Sequence, residues 1–309
     1  METHHPLEQA VIDTLRYFSC FSHPLLVTEI QVFAGIACTE QEVQGCLNRL
    51  VHLGEVQVFN DYYGLADIRT NVVARLEARS KLETFEGRIR RSARIISWFP
   101  FVSFVGLSGS LSKGIAPRGA DIDFFIVTST NRLWIARTLL HVFKKLTFVV
   151  NRQHDFCMNY FVDESALQIE EQNRFTATEL ATLVPLYSVA DCYERFYAHN
   201  TWSRCYLPNY EKSPAFRSSE KNLIRRGAEW LLNGLAPEGL NRWLMRTTDQ
   251  KWQRKWRSKG YPAADYDLAF KTRPNVSKNH FKNTQKKILN HLEANRPYTE
   301  VAAVSQVAC

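Results

Sequence analysis

The sequence predicts a mixed α/β fold (α+β), with a small sheet-containing core at its centre, a helix-and-hairpin module before it and a helical region after it. Three observations lead there. Residues 101–128, FVSFVGLSGSLSKGIAPRGADIDFFIVT, read as strand, glycine turn, short helix, loop and second strand. Upstream, helix-period apolar patterns end in an alternating hairpin; downstream of Thr176 the apolar spacing turns helical, broken by Pro185, Pro208, Pro214 and Pro237. The expected organisation is a first module over 1–68, a connecting helix over 69–99, the core over 100–175, a helical, basic region over 176–296 and a flexible tail over 297–309.

The first module reads as a winged helix. Leu7, Ile12, Leu15 and Phe18 share one helical face, and a short helix is expected over Val27 to Ala34. Thr39 followed by Glu42 is a capping box opening a third helix, with Val43, Leu47, Leu50 and Val51 inside and Gly54 as its stop. Glu55 to Phe59, an Asn60-Asp61 turn and Tyr62 to Leu65 then form the hairpin wing. In a DNA-reading winged helix the third helix enters the major groove. Here its outward positions are Glu40, Gln41, Glu42, Gln44, Asn48 and His52, with Arg49 the single cation. Such a face repels phosphate, so a structural or protein-docking role is expected. His4 and His5 are expected at a mobile terminus.

Residues 69–98 follow as one long helix whose last turns carry Arg88, Arg90, Arg91 and Arg94, cations that suit a helix C-terminus. In the central stretch, Phe101 to Leu107 is an apolar, β-branched and aromatic strand that ends at Gly109-Ser110. Glycine lets backbone amides approach an anion closely, and the Ser110 hydroxyl adds a donor, so a phosphate fits there. Ten residues later Asp121-Ile122-Asp123 opens the run Phe-Phe-Ile-Val. Strand alternation sends Asp121 and Asp123 to one face. Neighbouring carboxylates repel unless a cation lies between them, and all-oxygen ligation beside phosphate is what Mg²⁺ prefers.

At these residues the chain resembles the nucleotidyltransferase superfamily of DNA polymerase β and the minimal nucleotidyltransferases. That family joins an apolar strand, Gly-Ser or Gly-Gly, roughly ten residues, and Asp-x-Asp or Asp-x-Glu opening a second apolar strand. The resemblance covers about 100–165. It implies a polymerase β-like core that moves a nucleoside monophosphate from an NTP to a hydroxyl acceptor and releases pyrophosphate. It further implies two Mg²⁺ (or Mn²⁺) ions on Asp121 and Asp123, phosphates cradled by Gly109 and Ser110, and Lys113 as a point charge on a terminal phosphate. The superfamily usually adds a third metal-binding carboxylate on the neighbouring strand. Asp155, Asn159 and Asp163 share one parity there; Asp155 is the expected one because it opens its strand as Asp121 and Asp123 open theirs. A non-catalytic nucleotide- or nucleic-acid-binding regulatory protein is the alternative.

The rest of the chain is read more coarsely. Asn131 to Leu146 is an apolar helix, Phe156 to Val162 a strand. Over 212–287 cations far outnumber acids, and KWQRKWRSKG sets Trp252 and Trp256 one helical turn apart: either a stacking surface for an RNA acceptor or core residues beneath solvated lysines. Residues 270–280 read as a loop that folds back towards the phosphates. The acceptor itself, whether RNA, small molecule or protein, is left open. At 309 residues and 45% hydrophobic the chain has room for two or three cored modules. Its net charge of +8 and pI of about 9.1 favour polyanionic partners or a triphosphate. Scattered cysteines, odd in number and never spaced C-x-x-C, are expected to be reduced. With neither a long apolar run nor a signal-peptide pattern, a cytoplasmic protein without membrane contact is expected.

Overall fold

A computed structural model describes residues 5–116, 119–211, 216–234 and 237–294; the tail expected over 297–309 lies outside them. Three helices, α1 (Pro6–Ser19), α2 (Val27–Phe33) and α3 (Glu40–His52), precede a hairpin of β1 (Gln57–Phe59) and β2 (Tyr62–Gly64). His5 is no loose terminus. It caps α1 in a reciprocal box with Glu8, its amide donating to Glu8 Oε2 at 2.9 Å. Thr39 and Glu42 form the box foreseen for α3, and Leu25 bridges Tyr63 to place a third backbone beside the hairpin. On α3 the outward Arg49 is paired with Glu8 at 2.6 Å. Val11, Leu15, Ile30, Val43, Leu47 and Leu50 fill the core, joined by Ile288 and Leu292 from the far end of the chain.

A single 30-residue helix, α4 (Ile68–Ser97), leads to the central sheet. There follow β3 (Val102–Ser108), β4 (Asp123–Thr128), α5 (Leu133–Leu146), β5 (Cys157–Asp163), α6 (Arg174–Ala181), β6 (Val184–Ser188) and α7 (Cys192–His199). The chain continues through α8 (Leu223–Asn233), α9 (Pro237–Ser258), α10 (Ala263–Ala269), β7 (Phe270–Arg273), β8 (Val276–Asn279) and α11 (Thr284–Ala294). The six strands lie in the order β6-β3-β4-β5-β8-β7, with β4 and β5 parallel and every other neighbour antiparallel. On one face Phe124, Ile126, Met158 and Phe161 pack against Ile89, Ala93 and Ile96 of α4 and Leu133, Trp134 and Leu140 of α5. On the other, Phe104, Phe125, Val127 and Val162 meet Tyr193 and Phe196 of α7.

The region beyond Thr176 is not wholly helical: β6, β7 and β8 supply half of the sheet. Pro185 lies within β6, where an edge strand tolerates it, so a residue that breaks helices there marks a sheet border. Residues 270–280 form the β7–β8 hairpin on the side of β5 rather than a loop over the core's mouth. Trp252 and Trp256 are buried against Ala269 and Phe270, with Lys255 and Lys259 over the face of Trp256. Their rings are core and give nucleic acid no platform. Among the cysteines, Cys20, Cys38, Cys46, Cys157 and Cys192 are free thiols, whereas Cys205 is disulfide-bonded, against the expectation that the cysteines are reduced.

Buried charge ties α8 to the sheet. Arg225 of α8 is enclosed; it donates to Glu229 Oε1 at 2.8 Å, the Tyr187 hydroxyl at 2.8 Å and the Ser97 carbonyl at 3.1 Å. Glu229 in turn accepts from the Phe101 amide and from Lys221, both at 2.8 Å. Removing one member strands the others in a water-poor site. Arg225→Ala is therefore expected to lose about 3–5 kcal/mol of stability, measured by urea denaturation. A loss below about 1 kcal/mol, the range of a surface pair, would show the network to be dispensable.

Candidate active site

The antiparallel register of β3 and β4 sets Ser108 opposite Asp123, so the turn leaving β3 lies directly beside the carboxylate that opens β4. Gly109 in that turn has φ +72°, and a Cβ there would sit 2.6 Å from Asp123 Oδ2. Conformation and space both demand glycine. Its carbonyl accepts from Ser112 Oγ at 2.9 Å and Lys113 Nζ at 3.0 Å. Ser110 begins the short 3₁₀ turn Leu111–Lys113 and its carbonyl accepts from the Lys113 and Ile115 amides. Lys113 itself is enclosed, its side chain 2% exposed and paired with Glu179 of α6 at 2.7 Å. It is a strut between the turn and α6 rather than a point charge held out to a phosphate.

Asp121 lies just ahead of β4, with its Oδ1 2.5 Å from His154 Nδ1. The turn Gln153–Asp155 that carries this histidine is stitched to the pair: the Ile122 amide donates to the His154 carbonyl and the Cys157 amide to the Ile122 carbonyl. β4 and β5 are parallel neighbours, Asp123 opposite Cys157. Asp155 nonetheless does not join the pair. Its buried carboxylate accepts from Arg88 of α4 and, at 3.1 Å, from Arg152, so both oxygens serve ion pairs that fasten the turn to the long helix. The place beside Asp123 belongs to Asn159, whose Nδ2 donates to Asp123 Oδ1 at 3.2 Å.

A bulge makes that possible. Phe124 pairs with Met158 but Phe125 pairs with Tyr160, leaving Asn159 as the extra residue. The bulge also breaks the expected alternation: Met158 and Phe161 enter the core under α4 and α5, while Tyr160 and Val162 face α7. Asp163, opposite Thr128 at the far end, is fully buried and accepts from the Asn131 and Ser165 amides. The linear sequence pointed to neither Glu179 nor His154, and it carried no mark of the bulge, which only the pairing register reveals.

Burial holds the Asp123 carboxyl well above the ordinary carboxylate range, at about 6, with Asp121 and Glu179 adding repulsion against a hydrogen bond from Cys157. Among the described residues no lysine or arginine forms an ion pair with it. Nor do any three His, Cys, Asp or Glu side chains among them converge as a metal set. The donor set suits Mg²⁺ in one way only: two carboxylates from the chain, with phosphate and water supplying the remaining oxygens. Comparisons with protein-family models, curated proteins and solved structures returned no match.

The raised pKa has a sign. Between about pH 4 and 6 the folded chain binds more protons at Asp123 than the unfolded chain does, so stability falls as pH rises through that window and the penalty is complete above it. In buffer containing a chelator, Asp123→Asn is expected to be more stable than wild type above about pH 7 and indistinguishable from it below about pH 4. Denaturation midpoints across that range check this; equal midpoints at neutral pH would contradict a strained carboxylate.

Proposed function

We propose that the chain is a divalent-cation-dependent nucleotidyltransferase with a polymerase β-like core, moving a nucleoside monophosphate from an NTP to a hydroxyl acceptor with release of pyrophosphate. The observation that supports this most is the contact between the Gly109 turn and the Asp123 carboxylate, with Asp121 two residues ahead of it in the chain, which sets backbone donors for a phosphate beside an acidic group. The amides and hydroxyl at Gly109-Ser110 would bind and orient the triphosphate. Asp121 and Asp123 would hold Mg²⁺ or Mn²⁺, which when bound neutralises phosphate charge and activates the acceptor hydroxyl. Asn159 would fix the rotamer of Asp123, and His154 that of Asp121. Residues 7–65 are proposed as a winged helix that docks protein rather than DNA, since Arg49 is already paired. RNA remains one proposed acceptor, though not by stacking on Trp252 or Trp256.

One observation favours a second reading, a nucleotide-binding regulatory protein without turnover: a neutral amide, Asn159, stands where a third carboxylate would help draw the acceptor's proton. Incubation with each α-labelled NTP, Mg²⁺ and total cell RNA or protein distinguishes the two. Label is expected in one fraction, lost by about 10²-fold or more in folded Asp121→Ala and Asp123→Ala variants, and raised in Asn159→Asp. Mg²⁺-dependent NTP binding with no label in any fraction would replace the first reading with the second; failure of both binding and transfer would remove both.

A further inference from the structure

The helix α8 is amphipathic with its sides reversed. Leu223, Ile224, Gly227, Trp230 and Leu231 recur at i, i+1, i+4, i+7 and i+8, one continuous stripe. That stripe points outward: Ile224 is 87% exposed, Leu223 80%, Trp230 79% and Leu231 60%. The inward side carries Arg225 and Glu229. Rolling the helix to bury the stripe would strip Arg225 of the Ser97 carbonyl, the Tyr187 hydroxyl and Glu229, and would strip the Phe101 amide of its acceptor. The outward face is therefore held open by the charges beneath it.

On the same cluster, where Leu232 of α8 and Leu240 and Leu244 of α9 pack against Phe101, Ile135 and Ala136, α9 turns Arg242, Trp243 and Arg246 to solvent, with Trp243 60% exposed. Arg226 is exposed on the flank of the α8 stripe. The surface combines aliphatic residues, two tryptophans and arginines, with Glu238 exposed one turn ahead of Arg242, and its mainly apolar and cationic character constrains what can cover it. A second copy using the same patch would gather Arg226, Arg242 and Arg246 of both copies in one interface and double its positive charge. Nucleic acid would take the arginines and tryptophans but leave Leu223, Ile224 and Leu231 without a partner, because stacking needs a π face. An apolar phase bounded by negative charge satisfies all of them.

We propose that α8 and the outer side of α9 form a docking surface for an anionic lipid bilayer, α8 lying in the headgroup plane with its apolar stripe inward, the tryptophans at the interface and the arginines on anionic headgroups. This is attachment and not crossing: no helix among the described residues is long and apolar enough to span a membrane. The surface is independent of the nucleotide site, so either assignment can fail alone.

Full-length protein is mixed with extruded vesicles of phosphatidylcholine alone, or of phosphatidylcholine with about one-third phosphatidylglycerol, and sedimented. Sedimentation with the anionic vesicles, weakened but not abolished by salt, is expected. The Ile224→Ser/Leu231→Ser variant, which alters only exposed side chains and should melt as wild type does, is expected to lose partitioning by roughly tenfold or more. Arg242→Gln/Arg246→Gln is expected to lose the preference for anionic lipid while keeping residual binding. The proposal is overturned if wild type sediments with neither vesicle, or if Ile224→Ser/Leu231→Ser binds as wild type does. It is equally overturned if light scattering shows a wild-type dimer that Ile224→Ser/Leu231→Ser converts to monomer, or if the arginines serve RNA binding with no vesicle binding at all.

Discussion

The candidate site rests on one steric constraint: position 109 has no room for a side chain because the Asp123 carboxylate occupies that space. The constraint is created by strand pairing. Antiparallel β3 and β4 return the chain to the same end of the sheet, and the register Ser108 to Asp123 lays the turn across the first residue of β4. Parallel β4 and β5 cannot be joined by a tight turn, so the chain crosses over through α5 and re-enters by way of the turn at residues 153–155. That re-entry brings His154 to Asp121 and Asn159 to Asp123. The end of β3 and the starts of β4 and β5 thus converge through backbone geometry before any side-chain preference is invoked.

What was legible in the sequence follows the strength of its local signals. The strands flanking Gly109 and Asp123 are rich in apolar β-branched and aromatic residues, the box at Thr39 and Glu42 is a short-range reciprocal bond, and α4 is a single long pattern; all three are found where the residues place them. The late strands were not legible. β6, which contains Pro185, and the largely polar β7 are the two edges, and a strand at a sheet border is not buried on both sides and need not carry an apolar alternation; β8 lies between β5 and β7 and is buried, but its Val-Ser-Lys-Asn run hides this because Lys278 is held there by an ion pair with Glu171. The assignment of Asp155 failed for a different reason. Asp155 lies in the 3₁₀ turn ahead of β5 rather than opening the strand, and a carboxylate goes where cations reach it: Arg88, 67 residues away in sequence, reaches it from α4. A bulge inserts Asn159 into the place left, and nothing short of the pairing register reveals a bulge.

The charged side chains around the site divide into those with partners and those without. Lys113 has Glu179, and Asp155 has Arg88 and Arg152, so each long-range pair fixes a loop to a helix. Asp123 has an amide and a thiol. Leaving one half-buried carboxylate with no ion-pair partner among the described residues, and only the more distant charge of Lys144, while Asp155 has two arginines opposes stability. Folding alone would be better served by a neutral residue at that position.

The same principle explains why α8 could not be oriented from its sequence. An amphipathic pattern states how strongly two sides differ, not which side faces in; the default assumption that apolar residues turn inward holds only when the polar side has nothing to bind inside. Here the polar side does. Glu229 completes the capping of the Phe101 amide at a residue with φ +66°, and Arg225 closes the C-terminus of α4 through the Ser97 carbonyl. Those groups sit at the junction where the long helix hands over to the sheet, and without the pair they would be buried with no partner. Satisfying them fixes the roll of α8, and the fixed roll exposes Leu223, Ile224, Trp230 and Leu231. Trp252 and Trp256, which form a conspicuous motif among lysines, are core, while Trp230 reaches the surface because the charges buried beneath α8 leave it no other place.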